Sequence, residues 1–159
     1  MTTSARRVEA DRRPVQVFAL LVGAVFLVVG VLGFVPGVTA EYGELGFAGP
    51  HSHALLFGVF QVSVLHNLVH LLFGAAGLAA ARTRGAARLF LVAGGFAYLL
   101  LWVYGSIVGE DGGANFVPFN AADNLLHLGL GAGMVLLAVV ATFVERSRGQ
   151  YPDREQRGR

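Results

Sequence analysis

Two short stretches place polar, ionisable side chains inside apolar sequence. The first is His66-Asn67-Leu68-Val69-His70, and fifty-seven residues later comes Asp123-Asn124-Leu125-Leu126-His127. His66 and His70 are four apart, as are Asp123 and His127, and on a helix that spacing puts both members of a pair on one face. Two such faces could surround a divalent ion with three nitrogens and one oxygen, a set that favours zinc, and His51 and His53 upstream could deliver it. His70 and His127 on facing helices could instead ligate a b-type haem, with nearby glycines making room for the macrocycle. A third chemistry is proton or small-solute transport, since imidazole titrates in the physiological range and Asp123 could tune His127. The fourth reading is architectural. Asn67, His70, Asn124 and His127 would then tie helices together by hydrogen bonds worth about 1 kcal/mol each, and Asp123 would belong to a helix cap. Catalysis has the least support, because no nucleophile stands with a base and no phosphate loop or cofactor signature is present.

The elements that position these residues follow from composition. Of 159 residues 55% are hydrophobic and 14% charged, with a mean hydropathy of +0.62, far from the balance of a soluble domain. Runs without Asp, Glu, Lys or Arg extend over 15–40, 45–81, 89–109 and 124–144. A helix needs about 20 such residues to cross the hydrocarbon, and the backbone must satisfy itself in lipid, so four helical spans are predicted. Their bounds are about 15–35, 64–81, 89–108 and 122–144. The absence of Cys excludes disulfides, thiolate metal sites and thiol catalysis.

Every one of the 12 basic residues is Arg, and their placement is more informative than the net charge of +2. They precede the first run (Arg6, Arg7, Arg12, Arg13), separate the second from the third (Arg82, Arg84, Arg88), or follow the fourth from Arg146 onward. The other two connections carry Glu41, Glu44, Glu110 and Asp111 and no Arg. The positive-inside rule then predicts a multi-pass plasma-membrane protein with both termini cytoplasmic, consistent with an even span count. Residues 1–13 and 145–159 read as cytoplasmic tails. The basic pI reports attraction to anionic lipid headgroups rather than nucleic acid, which would want Arg interleaved with aromatics. A rival reading takes 1–40 as a signal peptide ending at Val38-Thr39-Ala40, but its apolar core from Val15 to Val35 exceeds the roughly 7–15 residues of a signal core.

The two polar stretches share more than spacing. Pairing each residue with the one fifty-seven later aligns Asn67 with Asn124, His70 with His127, Leu71 with Leu128 and Gly74 with Gly131, giving N-x-x-H-L-x-x-G twice. Ser63 and Asn120 hold matching positions as helix caps, Asn120 with Asp123 as a capping box, so each motif starts one turn inside its helix. Residues 54–62 then form an interfacial or re-entrant helix ahead of the second span. Asn67, His70 and Gly74 share one stripe, as do Asn124, His127 and Gly131, and polar stripes turn toward protein rather than lipid. Gly129, Gly131 and Gly133 extend the small-residue theme, which predicts close helix packing. A span-loop-span unit returns the chain to its starting side, so two copies would lie parallel about an axis along the membrane normal.

These residues also carry a resemblance. "LLFGVFQVSVLHNLVHLLFGAAGL" and "FVPFNAADNLLHLGLGAGM" are similar to the four-helix membrane family catalogued as domain of unknown function 4383, widespread in actinobacteria, over roughly residues 15–142. Members of it often read Asn-Pro where this chain has Ser63-Val64. The resemblance implies the fold and assigns no activity.

The expectation is therefore an all-α, integral membrane four-helix bundle of two parallel two-helix repeats. Its polar layer would be His66, Asn67, His70, Asp123, Asn124 and His127, near the extracytoplasmic side. The function expected is a non-enzymatic scaffold or interaction role among membrane lipids, with a second copy or another membrane protein as partner. The alternative is metal, haem or proton chemistry at His66, His70, Asp123 and His127.

Overall fold

The computed structural model describes residues 13–108, 114 and 119–149. The predicted tails beyond these, and the acidic pair Glu110-Asp111, lie outside the described residues. Four helices dominate: α1 Pro14–Leu32, α2 Val64–Ala80, α3 Arg84–Val108 and α4 Ala121–Ser147. Pro14 opens α1 at the position where a missing N–H is harmless, and Gln16 Oε1 accepts the backbone N–H of Arg13 at 3.2 Å. The helix stops at Leu32, three residues short of the predicted span, because Pro36 and Gly37 (φ +90°) need a turn and Thr39 Oγ1 donates back to Leu32 O at 3.1 Å. Three helices, α1, α3 and α4, are long and apolar enough to cross a membrane. The remaining one, α2, has 17 residues, at the short end of the spanning range.

The helices pair as α1 with α2 and α3 with α4, each pair antiparallel. At one end of the first pair Gln16 Nε2 donates to Ala81 O (3.0 Å) and Arg82 O (3.1 Å), closing the last turn of α2. At its other end Gly33 meets Asn67. The shorter α2 therefore runs beside α1 along its whole length. Between these ends backbone touches backbone: a Cβ added at Gly23 would come within 2.9 Å of Gly74 O, and one at Gly74 within 2.8 Å of Gly23 O. The second pair repeats this contact, since a Cβ at Gly95 would lie 2.9 Å from Gly131 O and one at Gly131 2.9 Å from Gly95 O. Such approach is how helices associate where lipid removes the hydrophobic drive. The two pairs join through Phe26 of α1 and Tyr98 of α3, whose rings stack at 5.4 Å and 9° within a core that includes Leu91, Met134 and Ala138.

Between α1 and α2 the chain forms a small folded cap. A three-stranded antiparallel sheet is built from β1 Thr39–Ala40, β2 Leu55–Leu56 and β3 Phe60–Gln61, in that order, with Thr39 opposite Leu56 and Leu55 opposite Gln61. A single 3-10 turn, Tyr42–Glu44, links β1 to the remainder. Residues 54–62 are thus a β-hairpin and not the interfacial or re-entrant helix predicted for them. The physical reason is local. Phe57 and Gly58 both take positive φ (56° and 70°), which makes a tight hairpin turn, and Ala54, Leu56 and Val62 bury against Val29, Leu32 and Val38. Ser52 braces the cap by donating to Val62 O at 2.6 Å and accepting from Gly46 N at 3.0 Å.

A polar layer beneath the hairpin as the candidate functional site

Each polar stretch lies at the start of a helix, and the two starts are capped differently. In α2, Ser63 Oγ accepts from His66 N (3.1 Å) and Ser63 O from Asn67 N (3.0 Å). The N–H groups of Val64 and Leu65 reach out to the cap carbonyls Gly46 O (3.0 Å) and Phe47 O (2.9 Å). In α4, Asn120 Oδ1 accepts from Asp123 N and Asp123 Oδ2 from Asn120 N, both at 3.0 Å, a reciprocal capping box. The same Asp123 Oδ2 accepts the backbone N–H of Gln61 at 2.8 Å, and Asn120 Nδ2 donates to Val59 O at 2.7 Å. These last two bonds fasten the hairpin to α4. Asp123, which stands in its stretch where His66 stands in the other, is thus the acceptor that holds a strand.

The histidines lie one turn deeper. His66 and His70 stack with ring centroids 4.3 Å apart, and His70 Nδ1 meets His66 O at 3.1 Å, so Nδ1–H is the donor. His70 packs edge-on to Phe26 (5.5 Å), and His127 packs on Tyr98 (5.6 Å) and Phe119 (6.3 Å). His70 and His127 thus each rest on one ring of the stacked Phe26–Tyr98 pair. Among the described residues no three His, Asp or Glu side chains converge at metal-ligating distance. Of the four residues offered as zinc ligands, Asp123 accepts from the backbone N–H of Gln61, while His66 and His70 stack on each other and His127 packs on Tyr98. Gly74 and Gly131, one turn beyond His70 and His127, lie against the facing helix backbones.

The asparagines sit against glycines. A Cβ at Gly33 would overlap the Asn67 carboxamide, and one at Gly105 the Asn124 carboxamide. Asn124 Nδ2 donates to Ser106 Oγ at 3.0 Å, and Ser106 Oγ donates to Trp102 O at 2.8 Å. Phe34 follows Gly33 where Ser106 follows Gly105. Asn67 is fully buried, and among the described residues neither its Oδ1 nor its Nδ2 has a hydrogen-bond partner.

Of the glycines expected to pack helices, Gly74 and Gly131 do so, whereas Gly129 and Gly133 have nothing within 4 Å of an added Cβ and face outward. The reason is angular: Gly129 and Gly133 lie two residues to either side of Gly131, off its stripe. Sequence reasoning missed Phe26 and Tyr98, although a signal existed. Gly23-Ala24-Val25-Phe26-Leu27 and Gly95-Phe96-Ala97-Tyr98-Leu99 match in glycine, aromatic and leucine, with Gly33 and Gly105 at equal distance beyond. It missed Ser52 as well, which is buried between the exposed His51 and His53. Glu145, read as part of a tail, is 1% exposed inside α4 and pairs with Arg88 Nη2 at 2.9 Å.

With known proteins the comparison is brief. The model of a family described as Domain of unknown function (DUF4383) matches residues 16–140. No curated protein and no solved structure matches.

Proposed function

The chain belongs to the DUF4383 family and is a membrane protein, and from these premises we propose that it is a non-enzymatic scaffold whose polar layer locks a folded cap onto a four-span bundle. The observation that carries this reading is the position of Asp123. One carboxylate oxygen joins the start of α4 to the edge of the hairpin through two backbone N–H groups, at 2.8 and 3.0 Å. Charge-assisted bonds of this kind are roughly twice as strong as neutral ones. His70 bonded to a carbonyl and Asn124 bonded to Ser106 fit the same structural use. The clustering of Arg82, Arg84, Arg88, Arg146 and Arg148 at the opposite end of the bundle supports both termini on the cytoplasmic side and the cap outside the plasma membrane.

In this role the rigid cap and the outward rows of side chains meet the surroundings. Leu21, Val25, Val28 and Val31 of α1 form one exposed apolar row that faces lipid, another membrane protein or a second copy. The two-helix pairs, with Gly23 and Gly74 mirrored by Gly95 and Gly131, support an internal repeat in which one span-loop-span unit was used twice. The test is metal analysis with an optical spectrum on the full-length protein, alongside hydrogen exchange of residues 52–62 in Asp123→Ala. A scaffold gives no stoichiometric metal or Soret band and faster exchange at Gln61. A stoichiometric ion lost on His66→Ala, with exchange at Gln61 unchanged by Asp123→Ala, would overturn it.

A further inference from the structure

Helix α2 is short for the membrane it crosses. Its 17 residues rise about 26 Å, against a hydrocarbon core about 30 Å thick. Leu65, Leu68 and Leu72 stand at i, i+3 and i+7 along it, and Leu68 and Leu72 are exposed, so this stripe faces lipid. At the cap end the apolar surface does not stop with the helix. Leu65 N–H donates to Phe47 O at 2.9 Å, which fixes Phe47 just beyond the first turn, and Phe47 is 69% exposed. The hairpin tip Phe57-Gly58-Val59 is a second exposed apolar projection at the same end of the bundle. It is held there because Phe57 N–H donates to Val38 O and Asn120 Nδ2, at the cap of α4, donates to Val59 O. We infer that Phe47 and the hairpin tip are immersed in the bilayer surface, at the boundary of headgroups and acyl chains, and supply the apolar length that α2 lacks.

The backbone of the tip suits that depth. Lipid penalises unpaired N–H groups, and those of Phe57, Gly58 and Val59 donate to Val38 O (2.9 Å), Leu55 O (3.0 Å) and Leu56 O (3.1 Å). The residue at the turn agrees. Phe57 holds φ +56°, a region that Gly or Asn enters at less cost, yet it is 58% exposed, so the cap itself gains little from the ring. Burial among acyl chains gives that ring a use, as it does for the apolar face of a protein segment lying in the interface. Charge points the same way. From Leu45 to Ala81 the sequence holds no Asp, Glu, Lys or Arg, so neither projection carries a charge into the acyl region. Glu41 and Glu44, at the 3-10 turn, are exposed and remain in water. Lipid fits better than a second copy of the chain, because Phe47 stands beside α2 and the tip beside α4, helices of different pairs. A bilayer surrounds both, whereas one dimer contact would reach one and leave the other exposed. Short spans meet thick bilayers by thinning them or by adding apolar surface at their ends, and this cap does the second. Neither the side of the membrane on which the cap lies nor the role of the polar layer enters.

The test is fluorescence quenching of the full-length protein in phosphatidylcholine vesicles. Trp102 is the single Trp, so Phe47→Trp, Phe57→Trp and His51→Trp are each made with Trp102→Phe. All three sites are exposed and tolerate an indole; should Trp102→Phe disturb folding, the same three changes are read as differences from the unaltered protein. Lipids brominated near the carbonyl are expected to quench Phe47→Trp and Phe57→Trp more than lipids brominated near the chain end, while aqueous iodide quenches them weakly. His51→Trp should show the reverse, strong loss with iodide and little with bromine. Iodide quenching of Phe47→Trp and Phe57→Trp equal to that of His51→Trp would overturn the proposal, since the whole cap would then stand in water. So would protection of either site from both iodide and bromine, which would mean that protein covers it, as a second copy or another chain.

Discussion

Substituting Gly131 by Ala tests the backbone contact that holds α3 to α4. The new methyl carbon would lie 2.8 Å from Leu99 Cγ and 2.9 Å from Gly95 O, where ordinary contact begins at 3.4 Å. Rotating Leu99 relieves only one of these, because Gly95 O is main chain. The helices must then separate by about 0.5 Å, and overpacking of this kind costs about 1–3 kcal/mol. Ala is a better helix former than Gly by about 1 kcal/mol, so the net loss is about 1 kcal/mol. Gly129→Ala, two residues away on the same helix, supplies the reference. Nothing lies within 4 Å of its Cβ, so it keeps the propensity gain without the clash. The two variants should differ by about 2 kcal/mol, read as midpoints of reversible unfolding in the same detergent. Gly74→Ala should behave like Gly131→Ala, since its Cβ would come within 2.7 Å of Leu27 N. If Gly131→Ala proves as stable as Gly129→Ala, the helices are not in backbone contact and the pairing described above is wrong.

Other outcomes follow from individual side chains. Asn67→Leu should raise stability by about 1 kcal/mol, because it removes a buried carboxamide without partners, whereas Asn124→Leu should lower it by a similar amount through loss of the Ser106 bond. Thermal unfolding of the two variants side by side shows whether the asymmetry is real. Glu145→Ala removes the buried carboxylate bonded to Arg88 Nη2 and should cost about 2 kcal/mol, with the double change Arg88→Leu, Glu145→Leu recovering part of it. A double-mutant cycle in detergent reads that recovery directly. Asp123→Asn retains an acceptor for Gln61 N–H and should leave exchange at Gln61 slower than Asp123→Ala does, which hydrogen exchange at single-residue resolution resolves.

Much of the bundle was legible because its determinants are local. Charge-free runs are read directly, Ser63 and Asn120 each act within one turn of where they stand, and α2 and α4 begin where those caps imply. The cap was not legible for the converse reason. Leu55, Leu56 and Phe60 form as apolar a stretch as any span, and only pairing with Thr39 and Ala40, across a turn that puts a phenylalanine at positive φ, makes them strands. A bulky residue in that region is rare enough that no local rule anticipates it. The polar stretches lay between these cases. Their spacing correctly implied a shared face within each helix, but the direction in which Asp123 points depends on Gln61, sixty-two residues away. Arg88 and Glu145 were similarly obscured, since a charge beside a tail reads as solvent-exposed until the far helix end is seen to cover it.

The fastening of the hairpin to α4 also bears on the order in which the molecule can be completed. Strand β3 is the outer strand of its sheet, so the Gln61 N–H and Val59 carbonyl are edge groups open to pairing with any extended chain. In the finished protein Asp123 and Asn120 cover them, and both lie at the start of α4, which leaves the ribosome after the hairpin. The first helix pair and its cap can therefore assemble early, yet they carry an unguarded strand until α4 has crossed the bilayer. Helix α4 acts as a seal as well as a span, and a chain stalled before it would present a sticky edge to its neighbours.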